Sequence, residues 1–244
     1  MSPRITLATG ARVLRQLRHD HRTLALVLVV PPLLLTLFKY VFEGQDETFD
    51  RIGAPLVGIF PFISMFLVTS IAMLRERTTG TLERLMTMPL AKLDILLGYG
   101  LAFTVVAAVQ ATLTSFVAFG LLGLDTAGPV WLVVLLATGN ALLGMALGLF
   151  LSAFAQTEFQ AVQFMPAFVL PQILLAGLIV PRDRMADWLE AISTVMPLTY
   201  AYDALARATA DDLGGRLALD AVVIAGCIGL ALILGATTLR RRTA

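Results

Sequence analysis

Residue types that do chemistry in enzymes are scarce in this chain of 244 residues. Its two histidines, His19 and His21, lie among arginines before the first long apolar stretch, where solvated interfacial side chains are the default. Its one cysteine, Cys227, lies in an apolar run, which excludes a disulfide framework and a cysteine metal cluster. The sequence also lacks the G-x-x-x-x-G-K-[ST] phosphate loop, the H-E-x-x-H zinc motif and the G-x-S-x-G nucleophile elbow. We therefore predict no catalytic site, no metal site and no ATP site of that kind in this chain.

The most informative polar segment is residues 75–89, with the sequence RERTTGTLERLMTMP. Gly80 is suited to cap a helix N-terminus, Glu83 suits the first turn, and Pro89 limits the helix. The apolar residues of this helix share one face at i, i+3 and i+4: Leu82, Leu85 and Met86. The pattern predicts a short amphipathic helix that docks in a groove of a soluble partner. A solvated loop with ordinary topogenic charges explains the same pattern equally well.

Side chains that could line a path for a small molecule lie inside the long apolar stretches. Polar groups there need partners or a cavity, and an aromatic cavity with few charges suits an amphiphilic or apolar molecule. The candidates for such a path are Phe60, Phe62, Phe66, Gln110, Phe164, Phe168 and Gln172. For any single phenylalanine, a position in the core or against lipid is at least as good an interpretation.

The composition defines the elements that must hold these residues. Hydrophobic residues make up 58% of the chain and charged residues 14%, whereas soluble domains carry about 25% charged residues. The mean hydropathy is +0.84. These values exclude a soluble globular protein and a disordered one, and they predict a protein that crosses a membrane several times. The net charge of +1 argues against a nucleic-acid partner.

Six segments are long and apolar enough to cross a bilayer, which takes about 20 residues. They are residues 23–42, 55–74, 95–122, 130–152, 161–180 and 218–239. Most Lys and Arg residues fall in 1–22, 75–94 and 240–244, whereas the loop 43–54 is acidic, so both termini are predicted to be cytoplasmic. The expected organisation is an amphipathic helix in 1–22, one six-span domain over 23–239 and a short tail.

Two segments are expected at a membrane surface rather than across it. Residues 1–22 place arginines on one stripe and leucines on another, which predicts an interfacial helix on the anionic leaflet, with Gly10 as a point of interruption. An ordinary positive-inside anchor remains the alternative. Between 181 and 217, apolar residues recur at helical spacing beside carboxylates that are costly at depth. Two short re-entrant helices in the outer leaflet fit that segment.

Small residues recur at every fourth position of the fourth predicted span: Asn140, Gly144, Gly148 and Ser152. Such a stripe lets helices approach closely in lipid. We expect packing within the chain, with a subunit interface as the alternative.

Three motifs in this order resemble those of the permease subunits of ABC exporters with the type-2 (ABCG-like) fold, such as bacterial drug and antibiotic efflux permeases. The loop between the second and third spans of that family carries E-R-x-x-G-T-L-E-x-L followed by proline. The matching residues are Glu76, Arg77, Gly80, Thr81, Leu82, Glu83, Leu85 and Pro89. The second motif is LFLSAFA at 149–155, and the third runs from AGLIVP at 176–181 to MPLTYA at 196–201. Ala176 departs from the serine that is common in the family.

The resemblance implies an all-α integral membrane half-transporter without an ATPase site. Two such subunits, identical or homologous, would pair and rest on separate ATP-binding subunits that hold ATP and Mg²⁺. The implied coupling helix contains Glu76, Arg77, Gly80, Thr81, Leu82, Glu83, Arg84 and Leu85. The implied extracellular gate contains Gly177, Pro181, Trp188, Pro197 and Tyr200. In the family the second and fifth spans border the interface where substrate passes, and bacterial members lie in the plasma membrane.

Three functions remain open at this point. The first is export of a drug-like, antibiotic or lipid-like amphiphile, and the second is export of a lipid-linked glycan. The third is a membrane enzyme or assembly scaffold that has no motor. Charge reversal in the coupling segment should impair the first two and leave the third unchanged.

Overall fold

The computed structural model describes residues 3–81 and 92–238, and these two ranges are helical with no strand. The long helices are α1 (Pro3–His19), α2 (His21–Val41), α3 (Asp46–Thr78), α4 (Lys92–Ser115) and α5 (Val130–Leu151). Shorter helices follow before the last long one: α6 (Glu158–Phe164), α7 (Leu170–Leu175), α8 (Asp187–Ser193), α9 (Pro197–Thr209) and α10 (Gly215–Thr238). A π-helical turn, Phe116–Leu121, extends α4, and a second, Met165–Val169, joins α6 to α7. The all-α class is confirmed.

Five helices of the described residues are long and apolar enough to cross a membrane. They are α2, α3, α4 with its π-helical turn, α5 and α10. The segment 161–180 is different, because its helix changes form at the π-helical turn and ends at Leu175. Pro166 and Pro171 lie in this stretch, and a proline removes a hydrogen bond while its ring crowds the carbonyl four residues earlier. The wider π-helical turn relieves that crowding.

Helix α3 lies at the centre of the bundle and packs most extensively against α5. A Cβ atom at Gly144 or Gly148 of α5 would overlap the carbonyl oxygens of Phe62 and Phe66 on α3. Only glycine therefore permits the observed approach of the two backbones. The stripe of small residues packs within the chain, as expected from the sequence. Asn140, at the start of this stripe, donates a hydrogen bond to the Ala201 carbonyl at 3.3 Å.

Helix α1 runs unbroken through Gly10, so the expected interruption there is wrong. Gly10 instead allows α1 to cross α4 closely, because a Cβ atom there would lie 3.1 Å from the Gly98 carbonyl oxygen. The face of α1 that contains Thr9, Gly10 and Val13 is buried in this crossing. Leu7 and Leu14, from the predicted apolar stripe, stay exposed. The crossing fixes α1 at one end of the bundle and leaves an apolar face of it uncovered.

Candidate functional site

Charged side chains gather at the end of the bundle where α1 crosses, α3 ends and α4 begins. Helix α3 ends at Thr78, and the Thr79 amide donates to the Arg75 carbonyl at 2.9 Å. Gly80 follows with φ +73°, a left-handed conformation that glycine adopts without strain, and Thr81 is helical again. The sequence pattern predicted Gly80 as the N-cap of the next helix; Gly80 follows the end of α3 and directly precedes the helical residue Thr81. Leu82, Glu83, Arg84 and Leu85 of the predicted coupling helix lie outside the described residues.

Glu76 joins α3 to α1 and α4. Its carboxylate Oε1 lies 3.5 Å from Nη1 of Arg12 on α1. The Nη2 group of the same arginine donates to the Tyr99 hydroxyl on α4 at 2.8 Å. The side chain of Glu76 is 11% exposed and that of Arg12 is 29% exposed, so the carboxylate is largely withdrawn from water and the guanidinium stays partly solvated. Removal of one partner of such a pair leaves a buried charge without compensation, which is more costly than the pair itself is stabilising.

The two arginines that flank Glu76 reach two other helices. Arg75 makes a bidentate contact with Glu158 at the start of α6, with distances of 2.7 Å from Nε and 3.1 Å from Nη2. The hydrogen bond from Arg75 lowers the pKa of Glu158, which lies before the segment 161–180. Arg77 donates to the Thr238 carbonyl and hydroxyl at the end of α10, at 3.4 and 3.2 Å. These contacts hold the first residue of α6 and the last residue of α10 against the end of α3.

Three consecutive residues of α3 thus contact three helices, α1, α6 and α10, and reach a fourth, α4, through Arg12. Successive helical residues point about 100° apart, so Arg75, Glu76 and Arg77 face three directions. We call these residues, with their partners, the α3-terminal cluster; the partners are Arg12, Tyr99, Glu158 and Thr238. Sequence analysis identified Glu76 and Arg77 but not their partners, because contacts over such sequence separations leave no local signal.

An open cavity of about 330 Å³ lies next to this cluster, between α2, α3 and the junction of α1 with α2. Its walls are mainly apolar side chains of α2 and α3, and Asp20, Thr23, Ser64 and Arg75 supply the polar groups. The predicted path residues do not line it. The cavity was missed because the side chains that surround it have no distinctive type or spacing.

The phenylalanines predicted for a path lie in three separate places. Phe62 and Phe66 are fully buried where α3 meets α5. Phe60 packs edge-on against Phe38 of α2, with ring centroids 5.9 Å apart. Phe164 and Phe168 form an edge-to-face pair, also at 5.9 Å, on the broken stretch of α6 and α7. Phe168 is 49% exposed, which leaves this pair, rather than the buried ones, accessible from outside the chain.

Gln110 is buried between α2, α3 and α4. Helix α2 continues through Pro31 and Pro32, and Pro31 has no amide hydrogen to offer the Val27 carbonyl. The Gln110 Nε2 group donates to that carbonyl at 2.7 Å and also to the Ser64 hydroxyl. The side chain therefore satisfies a backbone group that the proline frees, as neighbouring helices do in membranes.

Replacing Gln110 with leucine should lower the free energy of unfolding by about 1–3 kcal/mol, because the Val27 carbonyl loses its partner. Thermal unfolding in detergent measures this loss. Pro31→Ala restores an amide hydrogen at the site, so adding it to Gln110→Leu should recover much of the stability. Equal losses in the single and double variants would contradict the assigned role.

The predicted gate residues lie at the opposite end of the bundle. Gly177, with φ +104°, and Pro181 line an open cavity of about 240 Å³ together with Arg182, Tyr202 and Asp203. Trp188 on α8 is 65% exposed. Pro197 is the first residue of α9, and the Tyr200 hydroxyl donates to the Thr194 carbonyl at 2.7 Å. The five residues are therefore near one end, but only Gly177 and Pro181 line this cavity.

Gln172 connects the broken helical stretch to α9. Its Nε2 donates to the Phe168 carbonyl at 2.9 Å, and its Oε1 accepts from the Leu198 amide at 3.3 Å. Leu198 is in the first turn of α9, where amide hydrogens have no partner within the helix. Gln172 thus caps α9 from α7, a positioning role that the sequence did not indicate.

Ion pairs hold α9 in place at the same end. Arg182 pairs with Asp203 of α9. Arg207 of α9 contacts both Asp212 and Asp220, each at 3.1 Å. Asp220 lies within the first turns of α10 and is 5% exposed. A carboxylate near the end of an apolar helix needs a partner, so the position of Asp220 in the sequence could have predicted an ion pair there.

Comparison with known proteins gives consistent matches. Residues 5–208 match the family described as "ABC-2 type transporter". The chain is 30% identical over 150 residues to "Probable multidrug ABC transporter permease YbhR" of Escherichia coli, across 61% of this chain and 40% of that protein. It is 26% identical over 171 residues to "ABC transporter G family member 20" of Dictyostelium discoideum, across 70% of this chain and 23% of that one. The chain therefore spans less than half the length of these relatives.

Proposed function

Because the chain belongs to the ABC-2 type transporter family, we propose that it is the membrane-spanning permease subunit of an ATP-driven exporter. It works with a separate ATP-binding subunit, which binds ATP and Mg²⁺, and with a second permease copy or homologue. The chain itself has no catalytic role. Its place is the bacterial plasma membrane. The observation that carries this proposal, beyond family membership, is the α3-terminal cluster.

The α3-terminal cluster transmits movement of the ATP-binding subunit, here called the motor subunit, to the membrane helices. The segment that follows Gly80 is the coupling helix, which contacts the motor subunit. Its displacement moves the end of α3, and Arg75, Glu76 and Arg77 pass that movement to α6, α1, α4 and α10. Closely packed helices shift as units rather than deform continuously. Each of these ion pairs and hydrogen bonds thus links the end of α3, next to the coupling segment, to a different helix of the permease.

Six crossings with both termini on the cytoplasmic side fit the contacts. Arg75 holds the start of α6 at the end of the bundle that contains α1. Gln172 and Arg207 connect the following segments to α9 and the start of α10, whose other end lies at Arg77. These contacts support a further crossing of the bundle between Glu158 and α10. Helices α6 and α7 with their π-helical turn span about 27 Å at 1.5 Å per residue, close to the bilayer core.

The remaining elements take the surface roles expected from the sequence. Helix α1 lies in the cytoplasmic leaflet with its uncovered leucines towards lipid, and α8 and α9 form the re-entrant helices of the outer gate. Phe168, the exposed member of its pair with the partly buried Phe164, faces the second subunit or the substrate path. The mainly apolar cavity beside Asp20 and Arg75 favours an amphiphilic, drug-like or lipid-like cargo over a bulky glycan.

Affinity purification from native membranes in mild detergent tests the proposal. We expect tagged protein to retain a nucleotide-binding subunit in stoichiometric amount, and amphiphilic drugs to stimulate ATP hydrolysis by the complex. Absence of any ATPase from preparations in several detergents would contradict the proposal and favour a motor-free scaffold.

A further inference from the structure

A narrow groove of about 220 Å³ lies where α1 crosses α2 and α4. Its apolar walls are Leu14 and Leu17 of α1, Leu24 and Leu28 of α2, and Val105, Val106 and Val109 of α4. The remaining lining residue is Arg18. Val105 and Val109 are 48% and 51% exposed, so the groove is open towards the surroundings of the bundle. It shares Leu17 with the cavity next to the α3-terminal cluster but opens on the side of α4 rather than of α3.

Close contacts build the groove into the fold. The crossing at Gly10 and Gly98 holds α1 against α4. Asp20 then starts α2 one residue after α1 ends, since its carboxylate accepts from the Thr23 amide at 3.1 Å and from the Thr23 hydroxyl at 2.6 Å. The Gly10–Gly98 crossing and the Asp20 cap therefore fix the orientation of α1 relative to α4 and α2. The groove is thus formed by the fold itself and does not depend on a bound ligand.

The groove carries one charged side chain among its lining residues, that of Arg18. Arg18 has no hydrogen-bond or ion-pair partner within residues 3–81 and 92–238. Arg15 and Arg22, a turn to either side, are also exposed, and Arg15 bonds only to the Ala11 carbonyl of its own helix. An anion at this end of the groove would thus meet a free guanidinium, whose planar donors suit two oxygens of one phosphate.

We propose that this groove binds an anionic phospholipid, with an acyl chain along α2 and α4 and its phosphate at Arg18. The apolar walls suit the acyl chain, and Arg18, which has no partner among the described residues, suits the phosphate. A second copy of the chain fits poorly, because a two-fold contact on this face would bring the same arginines together. The bound lipid touches α1, α2 and α4 at once, so it fastens α1 to the bundle. This inference goes beyond the proposed export function and requires only that α2 and α4 cross a membrane.

The test measures lipid binding to the delipidated full chain in detergent by native mass spectrometry. The probes are dioleoyl phosphatidylglycerol, which is anionic, and dioleoyl phosphatidylcholine, which is zwitterionic. We expect tighter binding of phosphatidylglycerol to the unmodified chain. Arg18→Gln should weaken that binding about fivefold, the usual contribution of one basic residue at an anionic membrane surface, and leave phosphatidylcholine unaffected. Val109→Trp should fill the groove and remove the tight site.

Arg4→Gln is the matched control, since Arg4 lies exposed on the same helix and does not line the groove. It should leave phosphatidylglycerol affinity unchanged. Equal losses in the two arginine variants would show a diffuse attraction to surface charge and overturn the proposal, even if Val109→Trp fails to fold. Equal affinity of the unmodified chain for both lipids would also overturn it. A third result would overturn the proposal: a dimer of the unmodified chain that is lost in the Val109→Trp variant. That result would show that the groove binds a second copy of the chain.

Discussion

Replacing Glu76 with alanine is expected to destabilise the protein and to uncouple ATP hydrolysis from export. The carboxylate is almost fully buried against Arg12, whose other contact is the buried Tyr99. Its removal leaves the Arg12 guanidinium, which is 29% exposed, without this counter-charge, at a cost of about 1–2 kcal/mol, because water partly screens the charge. For a chain of this length that corresponds to a fall in melting temperature of roughly 2–8 °C. The loss also separates α1 and α4 from the end of α3.

Two measurements on the purified complex check this prediction: thermal unfolding, and the ratio of transported drug to hydrolysed ATP. Glu76→Gln keeps the shape and a hydrogen-bonding oxygen, so it should lose less stability. Glu190→Ala is the matched control, because Glu190 is exposed on α8. We expect it to change neither quantity. If Glu76→Ala matched that control in both, the α3-terminal cluster would have no role in stability or coupling.

The double change Leu82→Asp with Glu83→Lys is expected to abolish association with the motor subunit. The first substitution replaces an apolar side chain of the coupling segment with a negative charge, and the second reverses the charge of the next residue. Both alterations disfavour docking in an apolar groove with a charged rim. Membrane insertion should stay normal, because the segment does not enter the bilayer in the proposed topology. Co-purification of the ATPase with the tagged variant, at equal membrane expression, measures the effect.

Leu189→Asp with Glu190→Lys makes the same pair of substitutions on α8, at the opposite end of the bundle. This control should retain the motor subunit in full. Normal retention by the Leu82 and Glu83 variant would remove the coupling role from residues 82 and 83. Loss of the motor subunit from both variants would show that the substitutions act through general instability.

The sequence predicted the helices well because hydropathy is a local property. Five predicted spans correspond to helices of the required length and polarity. The segment 161–180 was harder, since Pro166 and Pro171 change the helix within it and the last helical residue is Leu175. Hydropathy averages over a window and does not register where a helix changes form or ends. The stripe of Gly144 and Gly148 was interpreted correctly because small residues have one main use between helices in lipid.

Contacts between distant residues could not be predicted. Arg12 belonged to a cationic stripe in the sequence, yet in the fold it turns towards Glu76 and Tyr99. Gln110 was recognisable as a polar residue in a span, but no sequence pattern indicates that its amide satisfies a carbonyl freed by Pro31. In both cases the partner lies more than 60 residues away, and only the packing of the helices identifies it.

Transport by the reconstituted complex tests the central claim most directly. Inverted vesicles that contain the permease and its ATP-binding subunit should accumulate a fluorescent amphiphilic cation when ATP and Mg²⁺ are added outside. The Glu76→Ala complex should hydrolyse ATP with much less accumulation. We predict that uptake requires ATP and both subunits. Uptake that is independent of ATP, or that persists without the ATP-binding subunit, would contradict the account.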